Sequence, residues 1–309
     1  MNNEKLIINN NKKRKLKHSA TGKVLYSFFV IFYLLFAFAC SSAPKKPTAI
    51  FTERNIATSQ LNLANNTANR GRYEEALLLL TEARRIALGT DDPQLRIKTS
   101  MSRGNILYAT GHLSEAFIEL ESAAAEGDAS GEKVLASLAR IYIIRAELRM
   151  EEDRERDNAV LKELTDRLNR EINLVKSDSL ASAAGYVTLG MVEKLGGRWN
   201  EAESAVKKAL EIHDKGLFLE DTAYDWFLIA SIRSVAGNYN SSIEALWQAI
   251  RYDRRAENGF GLASSWQAMG DVQKKAGRND ESRSAYRRSA EIFRALNFID
   301  QAEKLEALL

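Results

Sequence analysis

Large and small apolar residues alternate at helical spacing through most of the chain. On one set of segments a large side chain is followed four positions later by a small residue, as Tyr186 is followed by Gly190. On the other set a bulky residue is followed three positions later by a small one, as Leu120 is followed by Ala123. Spacings of three and four residues place side chains on one face of an α-helix. The pattern therefore predicts antiparallel helix pairs whose facing sides interlock.

The same positions recur along the chain. The small residue of the first helix is Ala64, Gly104, Gly190, Ala230 and Gly270 in turn. The bulky residue of the second helix is Leu80, Leu120, Val206, Leu246 and Tyr286, and the small residue three positions after it is Ala83, Ala123, Ala209, Ala249 and Ser289.

A glycine-centred turn separates the two helices of each predicted pair. The glycines are spaced 40, 86, 40 and 40 residues apart, at Gly71, Gly111, Gly197, Gly237 and Gly277. Glycine readily takes the left-handed backbone conformation that ends a helix. A short polar residue three positions later is expected to cap the following helix, and these residues are Ser114, Asn200, Asn240 and Asp280.

The fixed spacing predicts a stacked repeat. The 86-residue interval is about twice the others, and Ala159 lies midway between Ala116 and Ala202. We therefore expect a degenerate sixth unit in residues 131–176. After the last unit, Ile299 to Leu309 has the amphipathic pattern of a helix that covers the open end of a stack. The predicted fold is all-α, with about six helix pairs and a C-terminal capping helix.

The recurring positions resemble the tetratricopeptide repeat, a helix-turn-helix unit of usually 34 residues. The resemblance covers residues 57–290 and is strongest around Gly197, where the matching residues are Tyr186, Leu189, Gly190, Trp199, Ala202 and Ala209. It implies a right-handed α-α superhelix that binds other proteins. The chain departs from the family in its 40-residue period, in lacking proline after each second helix, and in having Ser242 and Ser282 where Ala is usual.

The first 39 residues have the pattern of an export signal. A basic leader ends at Lys23, and sixteen residues without charge follow from Val24 to Ala39. That run is short for a membrane span, which needs about 20 apolar residues. Ala37, Ala39 and then Cys40 resemble the lipobox of bacterial lipoproteins, in which the cysteine is acylated and becomes the new N-terminus. The alternative is an uncleaved signal anchor in which Cys40 has no role.

The predicted domain organisation follows from these segments. Residues 1–39 are the signal peptide, residues 40–50 are the acylated cysteine and a linker, and residues 51–309 are the repeat domain. Residues 41–47 are polar and contain two prolines, which suits an extended spacer. Because Ser41 is not acidic, the resemblance to lipoproteins of diderm bacteria implies an anchor in the outer membrane, facing the periplasm.

Charge is distributed unevenly along the chain. The 309 residues include 44 Lys and Arg against 41 Asp and Glu, but residues 1–39 hold seven basic residues and one acidic residue. Residues 40–309 therefore hold 37 basic and 40 acidic residues. This balance does not support nucleic-acid binding, and no nucleic-acid partner is expected. A single cysteine excludes internal disulfides and cysteine-based zinc sites.

Side chains suited to catalysis are few. The three histidines are His18 in the predicted signal, His112 in a predicted turn and His213 at a predicted helix end, and neither of the last two has a second ligand at metal spacing. Residues 259–264 resemble a phosphate-binding loop only superficially, since no strand precedes them. We expect no enzymatic activity, no cofactor and no metal. An envelope enzyme such as a peptidoglycan-cleaving hydrolase is a minor alternative.

The concave wall predicted for the first helices is the candidate partner-binding surface. By helical spacing its residues are Asn65, Asn105, Tyr108, Met191, Lys194, Tyr224, Phe227, Gln267, Asp271 and Lys274. Asn65 and Asn105 occupy matching places, and the resemblance to peptide-binding members of the family implies that such an Asn holds peptide backbone. Packing against the neighbouring repeat is the alternative for Tyr224 and Phe227.

The export signal and the repeat together predict a membrane-anchored scaffold that binds proteins in the bacterial cell envelope. A ligand-binding accessory subunit of a transport system is the alternative function. An open groove with exposed aromatic residues would favour the scaffold, whereas a narrow, deep apolar pocket would favour the transport accessory.

Overall fold

The computed structural model describes residues 52–152 and 157–309, which form thirteen α-helices and no β-strand. The all-α prediction is confirmed. The predicted signal peptide in residues 1–39, the acylation site Cys40 and the linker that follows lie outside the described residues. Neither described range contains a helix with the length and hydrophobicity needed to span a bilayer.

The helices are numbered in chain order. Their bounds are α1 Thr52–Asn69, α2 Tyr73–Gly89, α3 Pro93–Ala109, α4 Leu113–Ser130, α5 Lys133–Glu151, α6 Asn158–Leu174, α7 Ser179–Leu195, α8 Trp199–Lys215, α9 Leu219–Val235, α10 Tyr239–Arg255, α11 Gly259–Lys275, α12 Asn279–Ala295 and α13 Ile299–Glu306.

Consecutive helices form six pairs, from α1 with α2 to α11 with α12, and α13 follows as the short C-terminal helix. The degenerate unit predicted in residues 131–176 is the pair of α5 and α6. First helices also contact the first helices of neighbouring pairs, as α1 contacts α3, α3 contacts α5, α5 contacts α7 and α9 contacts α11. The first helices therefore share one side of the stack, which we call the first-helix wall.

Left-handed residues end the helices at two kinds of turn. Within pairs the residue is glycine, with φ between 75° and 82° at Gly71, Gly111, Gly197, Gly237 and Gly277. Between pairs it is often another residue type, with φ of 51° at Asp91, 57° at Leu217, 52° at Glu257 and 65° at Asn297. Glycine adopts this conformation without steric cost, so its recurrence within pairs has a direct conformational reason.

The predicted N-terminal caps are wrong in position. In the five pairs with a turn glycine, the second helix begins only two residues after it, so Ser114, Asn200, Asn240 and Asp280 are the second residues of their helices. The residues directly before these helices form no side-chain cap hydrogen bonds. Side-chain caps occur before three first helices, where a cap oxygen accepts a backbone N–H: Asp92 from Leu95 at 3.1 Å, Asp178 from Ala181 at 2.9 Å and Asn258 from Gly261 at 3.0 Å. The second helix α6, which has no turn glycine before it, is capped by Asp157, which accepts from Ala159 at 2.8 Å.

The two helices of a pair approach closely where a glycine faces a bulky side chain. A Cβ built on Gly190 would lie 2.3 Å from Cγ2 of Val206, and one built on Gly270 would lie 2.5 Å from two ring carbons of Tyr286. Val206 and Tyr286 are almost fully buried. The predicted interlocking of large and small residues is therefore confirmed.

The serines that replace Ala in the last two pairs have a structural reason. The Ser242 hydroxyl donates to the carbonyl of Ala230 at 2.7 Å, and the Ser282 hydroxyl donates to the carbonyl of Gly270 at 2.8 Å. Both hydroxyls are buried and cross from the second helix to the first. Because the buried hydroxyls are satisfied, serine fits the small position as well as Ala does.

Gly190→Ala is expected to lower the free energy of unfolding by about 1–3 kcal/mol, because the added methyl group forces two packed helices apart. Gly89→Ala is the matched control. It lies in a helix with no atom within 4 Å of a built Cβ, so it should be neutral or slightly stabilising. Urea unfolding followed by far-UV circular dichroism measures both. Equal midpoints for the two variants would contradict the close-packing explanation.

Candidate functional site

The first-helix wall carries one matching position in successive repeats. The residue twelve positions after the helix start is Asn105 in α3, Arg145 in α5, Met191 in α7 and Asp271 in α11. Arg145 is missing from the set predicted from sequence, because its repeat lacks the glycine turn that marks the others. Its distance of 40 residues from Asn105 is the signal that could have identified it.

Arg145 is the centre of a cluster that joins two repeats. Its guanidinium lies 5.0 Å from the ring centroid of Tyr108 and 4.7 Å from that of Tyr142. Arg145 Nη2 donates to Asn105 Oδ1 at 2.7 Å, while its buried Nε has no hydrogen-bond acceptor. Within the described residues no carboxylate lies at ion-pair distance from Arg145. The cation is thus held by aromatic faces and one amide, without a neutralising partner.

Tyr224 faces this cluster from α9, two repeats further along. Its ring stacks on Phe227 with centroids 6.4 Å apart, and the side chain is 45% exposed. Partial desolvation raises the pKa of Tyr224 to about 12, and the positive charge of Arg145 acts to lower it. The charge of Arg145 therefore acts on a side chain two repeats away. Arg145 on α5 and Tyr224 on α9 both belong to first helices, so they share one side of the stack.

Lys194 and Met191 lie between these repeats on α7. Lys194 is half-buried, and desolvation lowers its pKa, while the negative charge of Glu152 opposes that change. Met191 packs against the hydrophobic core, as does Phe227. The packing alternative therefore holds for Phe227, whereas Tyr224 is exposed.

The remaining predicted residues fall into two groups. Asn65, Gln267 and Lys274 are exposed on α1 and α11. Asp271 accepts the Tyr286 hydroxyl at 2.6 Å and so joins the two helices of its own pair. Asn105 is already bonded to Arg145. The structure thus brings together Asn105, Tyr108 and Tyr224 from the predicted set.

A buried pair of ionisable residues lies behind the wall. His213 Nδ1 is 2.7 Å from Asp225 Oδ2, and the other carboxylate oxygen of Asp225 has no partner. Burial raises the pKa of Asp225 to about 6. Asp253 lies 40 residues after His213, and Ser265 lies 40 residues after Asp225. At these equivalent positions the Ser265 hydroxyl donates to Asp253 Oδ2 at 2.9 Å. The recurrence identifies both pairs as contacts at the junctions between successive repeats.

The described side chains form no candidate metal site. In residues 52–152 and 157–309, no three or more His, Cys, Asp and Glu residues lie close enough to hold a metal ion together.

Family models of the tetratricopeptide repeat match two parts of the chain, residues 56–94 and residues 263–295. The first match covers most of α1, all of α2 and the first two residues of α3. The second match covers most of α11 and all of α12. No curated protein matches the chain.

Several solved structures have a similar fold. A signal-transduction ATPase with a tetratricopeptide repeat sensor, from Pyrococcus horikoshii, is 14% identical with a TM-score of 0.56; the match covers 85% of this chain and 43% of that one. A thermophilic TPR protein of Thermus thermophilus is 18% identical with a TM-score of 0.50, over 68% and 98% of the two chains. A Rap protein complexed with Competence and Sporulation Factor is 16% identical with a TM-score of 0.52, over 80% and 68%.

These matches concern the fold. The chain spans less than half of the Pyrococcus ATPase, and the identities are too low to carry over a partner or an activity.

Arg145→Met is expected to raise the pKa values of Tyr108 and Tyr142, because the positive charge of Arg145 stabilises both phenolates. Tyr73 is the internal control, since burial alone raises its pKa. Titration of ¹³C-labelled tyrosine ring carbons by NMR measures all three. Arg145→Lys should retain most of the effect. Unchanged titration of Tyr108 and Tyr142 in Arg145→Met would contradict the described cluster.

Proposed function

Because the chain is a tetratricopeptide-repeat protein, we propose that it is a docking scaffold of the bacterial cell envelope. In this proposal Cys40 carries a lipid that holds the chain at the outer membrane, facing the periplasm. Partner proteins bind the concave part of the first-helix wall. The scaffold performs no catalysis.

The guanidinium of Arg145 is the observation that carries the proposal. It is stacked between two tyrosines and, among residues 52–152 and 157–309, has no carboxylate at ion-pair distance, so it can bind an anionic group from outside. Tyr108 and Tyr224 add hydroxyl groups that can donate to the same ligand. The site therefore favours a protein segment that presents carboxylates along an extended or helical stretch.

Acidic residues of the chain limit where such a segment can lie. The negative charge of Glu152 acts to raise the pKa values of Tyr108, Tyr224 and Lys194. Glu152 also forms an ion pair with Arg149. The negative charge of Asp221 acts to raise the pKa of Tyr142.

The fold is compatible with this role. The Rap protein was crystallised as a complex with Competence and Sporulation Factor. A helical repeat of this kind can therefore hold a second molecule, and stacked repeats in general offer extended concave binding surfaces.

The alternative role as an accessory subunit of a transport system remains a hypothesis. Tyr224 is 45% exposed on the first-helix wall, which fits the scaffold better, because a transport accessory would need an enclosed apolar pocket.

Affinity capture from detergent-solubilised envelope tests the scaffold. We expect stoichiometric recovery of a membrane or secreted protein with the wild-type chain and loss of that protein with Arg145→Gln and with Lys194→Gln. Lys215→Gln is the matched control, because Lys215 is exposed on α8 and paired with Glu211. Recovery of the scaffold alone, or equal recovery with all three variants, would contradict partner binding at this site.

Cys40→Ala tests the anchor separately. The variant should lose incorporation of a labelled fatty acid and should move from the membrane fraction to the soluble fraction, because acyl chains supply the membrane affinity. Ser41→Ala serves as the control and should be labelled normally. Unchanged lipid labelling in Cys40→Ala would overturn this part of the proposal.

A further inference from the structure

The turn of the first helix pair contacts the C-terminal third of the chain. Asn69 Nδ2 donates to Glu220 Oε2 at 2.6 Å, although 151 residues separate them. A Cβ built on Gly71 would lie 2.6 Å from Cδ2 and Cε2 of Phe260 and 2.9 Å from Cζ of Phe298. The first pair thus touches residues at the starts of α9, α11 and α13. We call these interactions the closing contact.

Stacked repeats normally contact only their immediate neighbours. The closing contact joins the first pair to the fifth pair, the sixth pair and the C-terminal helix. Its presence means that the stack curves far enough for its two ends to meet. The closing contact therefore constrains the curvature of the whole first-helix wall.

Phe260 and Phe298 belong to a fixed aromatic cluster. Phe260 packs edge-to-face against Phe293 at 5.7 Å and against Phe298 at 5.2 Å between ring centroids, and Phe293 lies 6.1 Å from Phe298. Each ring is held by the other two, so a side chain added at Gly71 cannot be accommodated by moving one ring alone.

Gly71 differs from the glycines at the matching turns. Gly71 is buried, whereas Gly111, Gly237 and Gly277 are exposed. No atom lies within 4 Å of a Cβ built on any of those three. All four have positive φ. The backbone conformation explains a glycine at each turn, and the close approach to Phe260 is an additional requirement at Gly71 only.

We propose that the closing contact is a reversible latch that holds the wall closed and controls access to the cluster of Arg145 and Tyr224. One hydrogen bond and the contact of a glycine with ring edges are weaker than the packing between paired helices. The latch can therefore open while every pair stays folded. Opening separates the first pair from α9 and α11 and widens the approach to the wall.

Hydrogen exchange of the full chain in detergent tests the latch. Asn accepts positive φ better than other residues with a Cβ, so Gly71→Asn adds a side chain at the closing contact with little backbone strain. Gly111→Asn makes the same change at a matching turn with free space around it. We expect exchange about tenfold faster at residues 258–262 and 296–302 in Gly71→Asn. In Gly111→Asn these residues should exchange as in the wild type.

No increase in Gly71→Asn, or an equal increase in both variants, would overturn the proposal.

A charge exchange provides a second test that does not depend on steric fit. Asn69→Asp places a carboxylate beside Glu220 and should open the latch by repulsion. In the double variant Asn69→Asp with Glu220→Gln, the Gln amide can donate to the new carboxylate, so the hydrogen bond is restored in the opposite direction. Exchange should return toward the wild-type rate. Equal exchange in the single and double variants would overturn the proposal.

The proposal that the latch controls access to the cluster of Arg145 and Tyr224 rests on the proposed function. It is tested separately, by the rate at which Tyr224 is chemically modified. Nitration of Tyr224 by tetranitromethane should become several-fold faster in Gly71→Asn, while Tyr239 on α10 should react at the wild-type rate in both variants. Faster exchange without faster nitration would overturn the control of access. Neither measurement uses a partner, so failure to capture a partner would overturn the proposed function and leave the latch standing.

Discussion

The fold depends on close approach of two helices at a glycine or Ala position, which recurs in five of the six pairs. At Gly190 and Gly270 a bulky side chain of the second helix sits where a Cβ would otherwise be. This contact fixes the distance between the helices of a pair. This pair geometry recurs along the stack and helps to set the orientation of the first helices. The curvature of the wall depends on packing inside the pairs, on contacts between successive pairs and on the closing contact.

The chemistry of the wall varies at one recurring, partly buried position. The position that Asn105 occupies in α3 is occupied by Arg145 in α5 and by Met191 in α7. A polar, a cationic and an apolar residue thus follow one another at equivalent places. Arg145 and Tyr224, which is two repeats away, lie on first helices and therefore on the same side of the stack. Local sequence supplies the groups, and the superhelix brings them together.

The sequence was sufficient to predict the architecture because the relevant signals are local. The glycine turns and the spacing of large and small residues each lie within one repeat length, and the interval that contains the sixth pair is about two repeat lengths. The cap positions were predicted wrongly because only one residue separates each turn glycine from the next helix. Arg145 was missed because its repeat lacks that glycine. The contact of Gly71 with Phe260 depends on the accumulated curvature of five pairs, and no local pattern contains it.

The buried pair of His213 and Asp225 has a consequence for the order of the repeats. The next junction has Asp253 with Ser265 at the same places, and the last has Phe293 and Leu305 within one apolar cluster. If the stack slipped by one repeat, Asp253 would face Leu305 instead of Ser265, and its Oδ2 would lose its hydrogen-bond donor, although Asn258 would still donate to Oδ1. Such a misaligned stack is energetically unfavourable. Different chemistry at equivalent junctions thereby protects a chain of similar units against out-of-register assembly.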